Sequence, residues 1–180
     1  MTVANPPAIV ISQEEVEDFD RRWLDAWNEL DVPALVAMCA PGVVYDDPAL
    51  PAPARGRNEV RVFLEAIVAA YPDLKITVLS PPLLVPGSAT ALTRYRLTAT
   101  MTGAYAPANF APTGATMSFE GVDQWTFEDG LLSHYRTYYD TIGVARQLGI
   151  LPAAGSRAEK LMARLQHVQA RGQRRRAGLT

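Results

Sequence analysis

The sequence predicts an α+β domain in which helices come first and cover one face of an antiparallel sheet that follows. Three observations lead there. Up to Tyr71 the apolar residues recur at helical spacing. After Leu74 the period drops to two. Clusters of Pro and Gly punctuate the alternating runs. Helical runs followed by strand runs, rather than the two in alternation, are the pattern of helices packed on one side of a sheet.

Residues 1–11 read as a loose arm. Ser12 and Glu15, three residues apart, form a capping box. Val16, Phe19, Trp23, Trp27 and Leu30 then mark the inner face of a first helix. Asp31 and Pro33 suit the cap and first turn of a second helix, "PALVAMCA", which Pro41-Gly42 ends. A short strand "VVYDDP" and a Pro-rich loop follow. Asn58 suits the cap of a third helix carrying Val60, Phe63, Leu64, Ile67 and Tyr71 inward, closed by Pro72. "LKITVL" and residues 89–101, 115–128 and 131–139 read as strands. Pro81-Pro82, Pro86-Gly87 and Glu128-Asp129-Gly130 separate them. Residues 102–114 read as a long loop, and helical stretches "IGVARQLGI" and 156–176 finish the chain. The expected division is an arm at 1–11, one domain at 12–152 and a basic C-terminal helix or tail at 153–180.

A chain of 180 residues fits one domain with its own core. Its 48% hydrophobic and 20% charged content is that of an ordinary soluble protein. No apolar run nears the roughly 20 residues of a membrane span. The N-terminus has no basic region followed by an apolar core. The single cysteine, Cys39, makes no internal disulfide and suits a reducing compartment, so a cytoplasmic protein without a membrane partner is expected. Cys39 follows Met38 in an apolar run and reads as a small buried hydrophobe rather than a nucleophile. Charge is uneven. Residues 157–176 carry seven basic side chains and one acid, a net of +6, which leaves −8 elsewhere in a chain of net −2. No aromatic residue interleaves with those arginines, so stacking on bases has no candidate and nucleic acid is not an expected partner. The tail reads as a solvated helix fraying at "RGQRRRAGLT".

The chemistry concentrates in "SFEGVDQWTFEDGLLSHYRTYYD". Strand side chains alternate faces, so Phe119, Gly121, Asp123, Trp125 and Phe127 share one. That face is aromatic and should be buried, yet it carries Asp123. A buried carboxylate is costly unless paired, hydrogen-bonded or protonated. Its neighbour depends on the hairpin. A two-residue Asp129-Gly130 turn puts Arg136 opposite Asp123. A three-residue Glu128-Asp129-Gly130 loop, bulged at Gly130, puts Tyr135 there. The second is favoured, because it keeps Ser133, Tyr135, Thr137 and Tyr139 inside and turns His134 and Arg136 outward. Asp123 then meets phenol donors rather than a cation, and desolvation raises its proton affinity into the range of a general acid or base. The bland alternative, a structural acid satisfied by its neighbours, stays open. A second acid, Asp47 in "YDDP", stands at a strand end. It is either a site acid or a loop-opening Asp before Pro. Neither histidine and no cysteine cluster has metal-ligand spacing, so no metal is expected.

These residues look familiar as a set. "RRWLDAWNELDVPALVAMCAPGVVYDDP", "RGRNEVRVFLEAIVAAYPDL", "PTGATMSFEGVDQWTFEDGLLSHYRTYYD" and "ARQLG" resemble the SnoaL-like polyketide cyclases of the nuclear transport factor two-like superfamily, from about residue 15 to 150. The resemblance implies a cone: three helices wrapping a strongly curved antiparallel sheet around a deep apolar pocket, often in homodimers or larger homo-oligomers. It implies that Asp123 is the acid/base of a cofactor-free intramolecular aldol closure. The histidine that accompanies it in those cyclases has no counterpart in "TGAYAPANF", where Tyr105 stands. Ketosteroid isomerase is also similar. Through it Asp47 becomes a base and Asp123 a protonated donor, while its first-helix tyrosine matches Trp23. Limonene epoxide hydrolases resemble the chain at Asp123, but Gly121 and Thr137 replace their arginine and second aspartate.

The expected site therefore has Asp123, Asp47 and Tyr135 as catalytic residues. Its substrate-binding residues are Trp23, Trp27, Phe63, Tyr95, Tyr105, Trp125, Thr137 and Tyr139. The expected activity is acid/base cyclisation or isomerisation of an apolar polyketide- or steroid-like small molecule without a cofactor. The alternatives are a non-catalytic binding module of the same fold and an interaction protein acting through the basic helix.

Overall fold

A computed structural model of the chain describes residues 11–176. Helices α1 (Gln13–Asn28), α2 (Val32–Ala37) and α3 (Gly56–Ala70) precede most of a six-stranded sheet. The strands are β1 (Cys39–Asp46), β2 (Ala54–Arg55), β3 (Lys75–Leu84), β4 (Thr90–Thr100), β5 (Thr116–Glu128) and β6 (Leu131–Tyr139). Helices α4 (Thr141–Gln147) and α5 (Arg157–Arg176) follow. The sheet order is β2-β1-β6-β5-β4-β3, curved and not closed. All pairings are antiparallel except β1 with β6, which is parallel. The expected α+β cone, three N-terminal helices and extra C-terminal helix are all present.

The capping box forms as the sequence suggests: Glu15 N–H donates to Ser12 Oγ at 3.2 Å, and Ser12 N–H to Glu15 Oε2 at 2.8 Å. Val16, Phe19, Trp23, Ala26 and Trp27 are the buried stripe of α1. Asp31 caps α2, accepting from Ala34 N–H at 2.9 Å. Helix α3 begins earlier than expected, at Gly56, and Asn58 lies inside it rather than at its cap. Glu59 takes over, accepting from Arg55 N–H at 2.8 Å. Pro81-Pro82 does not end a strand. It lies within β3, the sheet's edge strand, at the second of two shifts of register, between Ser80 and Leu83. An edge with bulges is where a missing N–H is tolerated. Of the expected arm, residues 1–10 lie outside the described residues, while Ile11 is buried in the core.

The β5–β6 hairpin resolves the register by a third route. Asp129 and Gly130 both have positive φ, 50° and 74°, and Glu128 pairs with Leu131. This is the tight two-residue turn whose twist matches the strands. One extra residue enters β6 between the Phe127–Leu132 and Thr126–His134 pairs, which makes Ser133 the bulge. Asp123 therefore faces Thr137, neither Arg136 nor Tyr135. The bulge restores the parity that keeps Tyr135 and Thr137 buried and Arg136 exposed, but Leu132 rather than Ser133 is sealed in the core.

Candidate active site

A cavity of about 560 Å³ occupies the concave side of the sheet. Asp47, Asp123, Tyr135 and Tyr139 all line it, and so do Trp27, Phe63, Tyr95 and Tyr105. Lys, Arg and His are missing from its wall among the described residues. That volume suits a drug-sized ligand, and a largely apolar wall with a few convergent polar groups is the usual build of a small-molecule site.

Asp123 projects from β5 and is 6% exposed. Tyr135, two residues away from its opposite position on β6, donates its hydroxyl to Asp123 Oδ1 at 2.8 Å. Thr137 stands directly opposite, with its hydroxyl near the same carboxyl. Tyr95 Oη and Thr137 Oγ1 are hydrogen-bonded at 2.8 Å. Burial pushes the Asp123 carboxyl up to about 7; the Thr137 and Tyr135 hydroxyls oppose that rise and the Asp47 and Asp20 charges add to it. Tyr135 is itself fixed, stacked on Tyr45 with ring centroids 4.0 Å apart. Burial raises both phenols well above their ordinary range, so they act as donors and not as phenolates.

Asp47 follows β1, where "YDDP" leaves the sheet. Its Oδ1 accepts from Ala49 N–H at 2.8 Å and from the Tyr139 hydroxyl at 3.1 Å. Burial raises its carboxyl, against those bonds. One oxygen of this acid holds the turn while the residue lines the cavity. Asp46 turns the other way, to Arg136 at 3.4 Å. Tyr105 donates to Ala49 O at 2.8 Å and pins the same loop.

Three expected wall residues do not line the cavity. Trp23 (3% exposed) and Trp125 (0%) are packed under α1, with the Phe19 ring 5.6 Å from Trp23 and 5.1 Å from Trp125. Strand and helix period give the face but not the distance along the element, and both tryptophans lie toward the filled end. Thr137 is covered because its hydroxyl bonds Tyr95 and it stands opposite Asp123. Gly121 is required by Tyr95: a Cβ there would lie 2.5 Å from its hydroxyl. The phenol fills the space an arginine would need at that position. Two contributors escape the sequence reading. Tyr45 lines the cavity one residue before Asp46, and its only signal is its phase in "VVYDDP". Asp20 approaches Asp123 through Thr93, and its signal is an acid on the apolar side of α1. Cys39 is inert: it is buried, its thiol pushed up to about 12 by that burial, and it contacts Leu35 O.

The model of the SnoaL-like domain matches residues 21–135, a span that contains Asp47, Asp123 and Tyr135. The chain belongs to this family. Solved structures agree on the fold of this SnoaL-like protein. TsrD from Streptomyces laurentii has a TM-score of 0.65 at 23% identity, over 79% of this chain and 100% of that one. AclR from Streptomyces galilaeus has 0.65 at 22%, over 90% and 98%. An LEH-like epoxide hydrolase from M. tuberculosis has 0.59 at 14%, over 76% and 91%. At such identities the likeness is one of architecture, which hosts many chemistries. No curated protein matches the SnoaL-like chain significantly. Among its described residues no helix is long and apolar enough to cross a membrane, and no group of three or more His, Cys, Asp or Glu is placed to hold a metal ion.

Proposed function

We propose that the protein is a small-molecule acid/base enzyme that closes or isomerises a ring in an apolar, carbonyl-bearing substrate of polyketide or steroid type, without a cofactor. The observation that carries this is the Asp123 carboxyl. It is buried on a cavity wall, held by the Tyr135 hydroxyl and raised to about 7. A carboxyl near the working pH can both give and take a proton.

Two carboxyls on one cavity divide the work. Asp123, the more deeply buried, carries the proton to the substrate oxygen. Asp47, partly solvated and already bonded to Ala49 N–H, accepts the carbon-bound proton. Tyr135 holds the Asp123 carboxyl in one orientation. Trp27, Phe63 and Tyr105 supply apolar contact, and the absence of any cation from the wall among the described residues selects neutral substrates over carboxylates. Two acids whose environments differ are the usual way to obtain both roles at one pH. The reading includes a homodimer or larger homo-oligomer in the cytoplasm, checked by light scattering on the purified full chain.

The test is turnover of a panel of neutral polyketide-like aldol substrates and unsaturated steroid ketones by wild type and Asp123→Asn. Loss of at least about 100-fold in kcat, with the fold intact by circular dichroism, is expected. Full activity in the folded variant overturns the assignment. A binding module without catalysis is the second reading. It is favoured by the Trp23 indole, which is buried, unpartnered and not on the cavity wall, so the donor at that position of the first helix does not reach the site. Ligand-induced thermal stabilisation with no product from any panel member supports that reading.

A further inference from the structure

Three polar side chains among the described residues are at least nine-tenths buried: Thr93 (4% exposed), Asp123 (6%) and Thr137 (2%). They are not scattered. Thr93 on β4 is the direct partner of Asp123 on β5, and Asp123 is the direct partner of Thr137 on β6. The three form one row straight across the inner face of the sheet, with neighbouring Cβ atoms about 5 Å apart. Beyond Thr137 the row reaches the Tyr95 hydroxyl at 2.8 Å. Beyond Thr93 it reaches an acid: the Thr93 hydroxyl donates to Asp20 Oδ1 at 3.3 Å.

Asp20 is the odd member. It lies on α1 between Phe19 and Trp23, on the side that packs against the sheet, and it is half-buried. It does not line the cavity. None of the ion pairs among the described residues includes it. An acid there loses hydration without gaining a cation. Packing alone therefore gives no reason for an aspartate at this position, whereas a role directed along the row does.

We propose that Asp20 is a positioning residue for Asp123: its charge, standing at the end of the Thr93 row, determines when Asp123 holds its proton. The proposal rests on Asp123 as the acid of the proposed function, and adds a residue outside the cavity. Asp20 is the less buried carboxyl and ionises first; burial holds it up at about 6. Once ionised, it opposes a second negative charge on Asp123 and keeps that group in its donor form. The other groups that face Asp123 are Asp47 beyond β1, Tyr45 on β1, Tyr95 on β4, and Tyr135 with Thr137 on β6, none of them a cation. Asp47 acts from the cavity wall, where substrate also resides. Asp20 acts from the α1 side, so its influence persists when the cavity is full.

The experiment is a titration of the Asp123 carboxyl carbon by NMR in the full chain, with no substrate needed. It compares wild type, Asp20→Asn and a control, Asp25→Asn, an exposed acid on the same helix. The expected result is a fall in the Asp123 midpoint of about half a pH unit or more in Asp20→Asn, and no change in Asp25→Asn. Asp20→Ser, a second neutral replacement, should lower the Asp123 midpoint by a similar amount. That arm keeps the proposal open to refutation should Asp20→Asn fold poorly. An unchanged Asp123 midpoint in Asp20→Asn or in Asp20→Ser, or an equal shift from Asp25→Asn, overturns it. Because no turnover is measured, its failure is distinct from failure of the proposed reaction.

Discussion

The inner face of β5 is packed solid at one end and hollow at the other. Toward its C-terminal end, Trp125 and Phe127 meet Phe19 of α1 edge-on, with ring centroids 5.1 and 4.8 Å apart. Toward its N-terminal end, Asp123 and Phe119 face a cavity. One strand and one alternation thus make a core and a site, two residues apart. The boundary between them is Asp123. What differs is the opposing layer: the aromatic stripe of α1 covers one end, whereas α3, α4 and the Ala49–Leu50 loop stand back at the other. Burial of a residue on this face therefore says little about its role until the layer above it is known.

The largest test of this contrast is Trp125→Ala. Its side chain is fully enclosed, and truncation should cost about 3–5 kcal/mol, read as a lowered denaturation midpoint. Phe119→Ala, at the hollow end and half-buried, should cost less than half as much. Equal losses at the two ends would mean that the hollow end is packed in solution.

The next effect has the opposite sign. The Asp123 carboxyl is raised to about 7, whereas an exposed aspartate titrates near 3.9. Folded chains hold a proton that unfolded chains release between about pH 4 and 7, so stability falls as pH rises through that window. Asp123→Asn removes the penalty. It should be about 2–4 kcal/mol more stable than wild type at pH 8 and nearly equal at pH 4. A variant less stable than wild type at both pH values would mark Asp123 as a structural acid.

Tyr135→Phe deletes a donor to that carboxyl at 2.8 Å. The bond favours the ionised form, so its loss should move the Asp123 midpoint upward and cost about 1–2 kcal/mol at pH 8. The smallest effect is expected at the filled end. Trp23 buries an indole N–H with no partner. Trp23→Phe loses contact area but also an unmet donor, and the net change should stay within about 1 kcal/mol.

The fold was largely legible because its signals are local. The capping box at Ser12, Asp31 before the second helix and the change of period after Leu74 each act over a few residues. Asp123 was legible for the same reason, as an acid in an apolar phase. The register beside it was not. The Asp129-Gly130 turn and the Ser133 bulge shift β6 in compensating directions, and periodicity detects only the parity of their sum. Parity sufficed to put Tyr135 and Thr137 inside, but not to show that Thr137 faces Asp123. Trp23 and Trp125 read as cavity residues because aromatic residues on an inner face look alike from sequence. Asp20 carries no signal of its own, because one acid on a helix is ordinary until the strand beside it is known to carry Thr93.

All of this turns on one group holding a proton near neutrality inside a cavity. Titrating the Asp123 carboxyl carbon of the wild-type chain by NMR measures it directly. A midpoint near 7 is expected, with the Tyr45 and Tyr135 phenols neutral throughout the titration. A midpoint near 4 would place an ordinary, solvated carboxylate at Asp123 and contradict the account.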